Sequence, residues 1–96
     1  MKVVELALFK LKANASQAEF NSALAATQAW LARQPGFILR RHGVSDAAER
    51  LDYVEWESSM AAKAAFDAFK HAPELQPFMA AIDAESIIMR HFDLIL

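Results

Sequence analysis

The sequence predicts one α+β domain spanning residues 1–96: a four-stranded antiparallel sheet with both main helices on one face. Three observations predict it. Near-alternating apolar stretches recur at strand length. Two segments between them carry apolar residues at helical spacing, each opened by serine. Gln34-Pro35-Gly36 and His71-Ala72-Pro73 then close those segments, since proline disfavours helix at and before itself and glycine tolerates any turn.

The first strand is read from Val3 to Leu11. One face carries Val4, Leu6 and Leu8, the other Val3, Glu5, Ala7 and Phe9, so it suits a central position covered on both sides. Ser16 and Glu19 have capping-box spacing and open the first helix, whose buried stripe is Phe20, Leu24, Thr27 and Leu31 with Ala23 and Trp30 beside it. Phe37 to Val44 forms the second strand, with Phe37 and Leu39 on one face and Ile38, Arg40 and His42 on the other. Ser45 to Arg50 is a polar turn. Leu51 to Glu57 forms the third strand, with Asp52, Val54 and Trp56 opposite Tyr53 and Glu55, and pairs with the second as a hairpin. Ser58 or Ser59 caps the second helix. Ala61, Ala65, Ala68 and Phe69 line its inner side, widened by Met60, Ala64 and Phe66. A short helical stretch runs from Pro73 to Ile82, and Ser86 to Leu96 is the last strand.

Strand, helix, strand, strand, helix, strand is the ferredoxin-like split βαβ order. Its helices cover one sheet face. The other is expected to carry Val3, Ala7, Phe9, Ile38, Val54 and Trp56, an apolar patch too large to stay wet. A second copy packed face to face would bury it, giving a homodimer that encloses a mostly apolar cavity. The 55% hydrophobic content agrees, standing above the usual roughly 45–50%.

Composition excludes several classes. Ten basic and twelve acidic residues give a net charge of -2 without long like-charged runs, so neither nucleic acid nor a membrane surface is an expected partner. The absence of cysteine removes disulfides, thiolate catalysis and cysteine zinc sites. The three dispersed histidines lack metal-ligand spacing, and no phosphate loop, dinucleotide fingerprint or nucleophile motif occurs, so no metal or cofactor is expected. The opening apolar run is too short and too charged for a signal peptide, and the expected location is the cytoplasm.

Three segments carry a family resemblance. Leu6-Ala7-Leu8-Phe9-Lys10-Leu11-Lys12 resembles the first strand of the stress-responsive branch of the dimeric α/β-barrel superfamily. Gln34-Pro35-Gly36-Phe37 resembles the Pro-Gly-Phe turn of its antibiotic-biosynthesis-monooxygenase branch. Tyr53-Val54-Glu55-Trp56-Glu57-Ser58 resembles that branch's strand-Trp-x-Ser motif. The resemblance implies a dimeric α/β barrel, with Trp56 matching a cavity-lining tryptophan. Glu5 stands where the stress-responsive branch has histidine. The asparagine and helix histidine of haem-degrading relatives have no clear match, Ala7 standing near the first and His71 following the second helix.

Two functions follow from this resemblance. One is a cofactor-independent monooxygenase, or related isomerase or cyclase, acting on an aromatic or polyketide-like molecule. The other is a non-enzymatic dimeric binding or stress-associated protein. Under the first, Glu5 or His42 acts as base, while Trp56, Arg40, Phe9 and His71 hold substrate. Each residue also has a structural reading. Trp56 could pack at a dimer contact. Arg40 and His42 could reach water or a carboxylate at a strand end. Glu5 could pair with Arg40 or Arg90, since a buried carboxylate needs a partner. His71 could meet the carbonyl end of the second helix. His91 is read as exposed or at a dimer contact, and Asp52, which could reach the cavity, as a solvated strand end from its place near the strand start. A cavity of a few hundred Å3 with two or more polar tips separates the enzyme from its rival.

Overall fold

A computed structural model describes every residue, Met1–Leu96. The elements run β1 (Val3–Phe9), α1 (Gln17–Ala32), β2 (Phe37–Val44), β3 (Arg50–Trp56), α2 (Ser59–Phe69), a 3-10 turn at Pro73–Leu75, α3 (Gln76–Ala81), a 3-10 turn at Ala84–Ser86 and β4 (Ile88–Asp93). The strands pair antiparallel in the order β2-β3-β1-β4, the ferredoxin-like arrangement. No helix is long and apolar enough to cross a membrane.

Local chemistry sets the boundaries. The Ser16 hydroxyl accepts from the Glu19 N–H at 3.2 Å, making the serine half of the capping box. Ser58, rather than Ser59, caps α2 by accepting from the Ala61 N–H at 3.1 Å. Gly36 has φ +83°, and a Cβ there would stand 2.6 Å from Ala61 Cβ. Its carbonyl accepts from the Glu57 N–H at 2.8 Å. Glycine therefore meets two demands at once, a left-handed backbone and close contact between the start of β2 and the start of α2. The first and last strands are shorter than their apolar patterns suggest. β1 stops at Phe9, and Leu11 makes only an isolated bridge to Ile82. β4 starts at Ile88 because Ser86 belongs to a 3-10 turn, where its hydroxyl accepts from the Lys10 N–H at 2.8 Å.

Which sheet face the helices cover reverses the sequence expectation. Val3, Val54 and Trp56 pack with Trp30, Leu31, Ala62 and Ala65 in one core cluster. Phe9 packs with Phe20, Ala23 and Phe78 in a second, with Ala7 against it. The face expected to meet a partner is thus the one under the helices. The uncovered face carries Val4, Leu6 and Leu8 of β1, Leu39 and Arg41 of β2, Leu51, Tyr53 and Glu55 of β3, and Ile88, Arg90 and Phe92 of β4. Alternation could not settle the choice because both faces of β1 are apolar. Ile88 and Phe92 remain 44% and 51% exposed, so an apolar patch does exist, on the opposite side.

β2 departs from simple alternation. Its pairing with β3 shifts between Phe37 and Leu39. This bulge turns Phe37 to the same side as Arg40 and His42, where its ring meets Trp56 edge-on at 5.8 Å.

Candidate functional site

The helix-covered face holds two polar clusters in a mostly apolar layer, besides the buried Arg50, whose guanidinium lies 4.8 Å over the Phe20 ring. The first centres on Glu5 in the middle of β1, whose side chain is only 10% exposed. β1 lies between β3 and β4, so both neighbours can reach it. Trp56 of β3 is its diagonal neighbour and donates its indole N–H to Glu5 Oε1 at 2.6 Å. His91 of β4 stands directly opposite, with Nε2 3.1 Å from Glu5 Oε2. A carboxylate has about four lone-pair positions, so each oxygen keeps an acceptor site after these contacts.

Glu5 is also the carboxylate of a half-open cavity of about 270 Å3, in which fourteen of sixteen lining residues are hydrophobic. Phe9 and Ala7 continue its floor along β1, and Val54 and Trp56 extend it along β3. Trp30 of α1, Phe69 of α2 and Phe78 and Met79 of α3 form the roof. Met89 closes the β4 side. The cavity opens past Phe66 and Ile87, both substantially exposed, with Lys70 beside them. The Lys70 ammonium lies 4.9 Å from the Phe66 ring centre and 3.7 Å from an Asp67 carboxylate oxygen. An apolar molecule inside would meet aromatic walls, one carboxylate and a cation at the rim. This is the composition of a small-molecule pocket.

The second polar group is a closed network beside the cavity. Arg40 grips Asp52 with two bonds, Nε to Oδ1 at 2.6 Å and NH2 to Oδ2 at 2.8 Å. Its third nitrogen donates to Thr27 Oγ1 at 2.8 Å, and that hydroxyl donates to the Leu24 carbonyl at 2.7 Å. His42 Nδ1 lies 3.2 Å from Asp52 Oδ1. Because an ionised carboxylate only accepts, this contact assigns the proton to Nδ1. The other ring nitrogen, Nε2, is buried without a partner, between Phe9 and Phe20 rings about 6 Å away. Burial alone would raise the Asp52 carboxyl, but the hydrogen bonds and charges of His42 and Arg40 outweigh it and hold it below an ordinary aspartate.

These positions sort the sequence candidates. Glu5, Phe9 and Trp56 line the cavity together. Arg40 and His42 face the same layer but engage Asp52 and lie outside the cavity wall. His71 is exposed just beyond α2 and also lies outside that wall, because the chain turns away there toward Pro73. Glu5 pairs with neither Arg40 nor Arg90. Arg40 is taken by Asp52, and Arg90 points to the opposite face of β4. Asp52 is a largely buried anchor for Arg40 and His42 rather than a solvated strand end.

Sequence reasoning gave Thr27, Asp52 and His91 structural readings but no part in the site. Thr27 did carry a signal, as a hydroxyl residue within the buried stripe of α1. His91 could be found only through the β1–β4 register, which sets it opposite Glu5. No group of three or more His, Cys, Asp or Glu side chains gathers in a way that could hold a metal ion.

No family model and no curated protein matches the sequence. Solved structures do match. SnoaB of Streptomyces nogalater, a cofactor-independent oxygenase, is 25% identical over 95% of this chain and 88% of its own, with a TM-score of 0.67. An asparagine-to-alanine variant of SnoaB is 22% identical over 99% and 94% of the two chains, at a TM-score of 0.76. A dimeric ferredoxin-like protein of unknown function from Thermobifida fusca is 14% identical over 98% and 92%, at 0.78. A Bordetella bronchiseptica protein provisionally assigned as an antibiotic biosynthesis monooxygenase is 18% identical over 99% and 98%, at 0.77. The chain therefore has the ferredoxin-like fold of these proteins, with an apolar cavity between its sheet and its helices.

Proposed function

We propose that this protein is a homodimer in which each subunit keeps its own cavity, and that the cavity serves a cofactor-independent oxygenation of a small aromatic or polyketide-like carbon acid. The observation that carries the reading is the Glu5 carboxylate, buried in a 270 Å3 apolar chamber with the Trp56 indole fixing one of its oxygens. The likeness to SnoaB and the dimeric state of the Thermobifida neighbour support it, as does the uncovered apolar sheet face.

In this reading Glu5 takes a proton from an activated C–H bond, leaving a carbanion delocalised over the substrate's rings. The carbanion passes one electron to dioxygen. The resulting radicals combine into a carbon–oxygen bond, and the protonated peroxide loses water as its O–O bond breaks. A methylene and one dioxygen thus become a carbonyl and one water. The chain's own part is to bind and orient the rings between Phe9, Phe69 and Phe78, to exclude water, and to hold the base. Glu5 is preferred to His42 as base because it faces the cavity, whereas His42 is tied to Asp52 outside it.

Anthrone, a tricyclic ketone with an acidic methylene, is the test substrate. Wild-type protein is expected to accelerate oxygen uptake and yield anthraquinone, and Glu5→Gln to lower that rate by about 100-fold or more. Equal rates in the two proteins would contradict the reading.

A further inference from the structure

Glu5 has an exit that the proposed reaction does not yet use. Its carboxylate faces the half-open cavity, but His91, bound to its second oxygen, lines a different space. That space is an open groove of about 640 Å3 between α2 and the outer strand β4. The His91 side chain is 58% exposed, against 10% for Glu5. The 3.1 Å contact therefore links a carboxylate buried against the apolar cavity to an imidazole that stands largely in water. The groove's other charged residues, Lys63 and Asp93, make no ion pair or hydrogen bond with Glu5. The opposite oxygen meets only the Trp56 indole, a donor that cannot carry a proton onward.

We infer that His91 is a positioning and relay residue that exchanges protons between Glu5 and solvent. The inference rests on Glu5 being the base of the proposed site. Beside the ionised carboxylate His91 carries its ring proton on Nε2; once Glu5 has taken a substrate proton, the exposed ring moves that proton to Nδ1 through water, and the Glu5 carboxyl O–H donates to the bare Nε2. The imidazole accepts that proton and releases one from Nδ1 to water, restoring the carboxylate. No electron moves, and each proton leaving the substrate appears in solvent. Imidazole suits this task because its two nitrogens can accept on one side and release on the other near neutral pH.

Two rates measured on anthrone separate the relay from the reaction it serves. Under nitrogen in heavy water, deuterium enters the methylene only if the proton on Glu5 exchanges with solvent before it returns to carbon. With oxygen present, first-turnover oxygen uptake reports proton removal whether or not that exchange occurs. In His91→Gln, which keeps a side-chain donor for Glu5, the ratio of deuterium wash-in to first-turnover oxygen uptake is expected to fall at least about tenfold. In His91→Ala, added imidazole is expected to restore it. A loss of both rates by the same factor marks a merely structural role and overturns the relay, as does a ratio unchanged from wild type.

The outcomes also distinguish the relay from the oxygenase reading. Wild-type protein that washes deuterium in but takes up no oxygen refutes oxygenation. The relay is then read from wash-in alone, and stands if His91→Gln lowers it and imidazole restores it in His91→Ala. Wild-type protein that does neither overturns both.

Discussion

The Trp56 indole donates to Glu5 Oε1 at 2.6 Å across the two central strands, joining residues 51 positions apart in the chain. Trp56 is 1% exposed, so water cannot replace either partner. Removing the donor strands a buried acceptor, which costs more than the bond itself contributes. Trp56→Phe is expected to lower unfolding free energy by about 1–3 kcal/mol in urea titrations. The same substitution should cost less beside Glu5→Leu, where no carboxylate is left unpaired. An equal cost in both backgrounds would mean that Trp56 acts by packing alone.

Asp52 should dominate the acid limb of stability. Its folded-state carboxyl is held below the ordinary value, the net result of burial opposed by His42 and Arg40. A depressed carboxyl contributes stability that is fully present above its unfolded value, about pH 3.9, and is lost as pH falls through the lower folded value. Unfolding free energy measured from pH 6 down to pH 2 should decline in that window. Asp52→Asn should flatten the decline, and an unchanged slope would refute the assignment. At neutral pH, Asp52→Ala should cost about 3–5 kcal/mol, because it leaves the 4% exposed Arg40 guanidinium unpaired.

Gly36→Ala tests the turn that joins α1 to β2. The added methyl meets Ala61 Cβ at 2.6 Å and forces alanine to φ +83°. A loss of about 1–3 kcal/mol is expected, read as a lower Tm. A variant as stable as wild type would show that the turn relaxes freely.

The uncovered face should carry the subunit contact. Leu8 lies on it between Leu51 and Ile88, both over a third exposed. Leu8→Glu places a charge there without touching the cavity lining, and sedimentation is expected to show a shift from dimer to monomer. A Leu8→Glu dimer as stable as that of wild type would move the contact elsewhere.

Much of this architecture is legible in the sequence because its signals are local. Ser16 and Ser58 cap helices, Pro35-Gly36 turns the chain, and alternation on β1 and β3 groups Val3 with Glu5 and Asp52 with Trp56. The choice of covered face is not local. Val4, Leu6 and Leu8 are as apolar as Val3, Ala7 and Phe9, and only helix packing decides between them. The bulge at Phe37–Leu39 is similarly silent, although it moves an aromatic ring across the sheet. The site is half legible for the same reason. A glutamate within an apolar strand announces itself, but its partners Trp56 and His91 are set by registers with two different strands.

The central claim is that ligand sits inside one subunit, between sheet and helices, against Glu5. The most direct test is nuclear Overhauser contact between bound anthraquinone and methyl-labelled protein. The account predicts contacts to the methyls of Met79 and Met89 in the cavity, and none to Leu6, Leu8 or Ile88 on the uncovered face. The reverse pattern would contradict it and return the ligand to the space between two subunits.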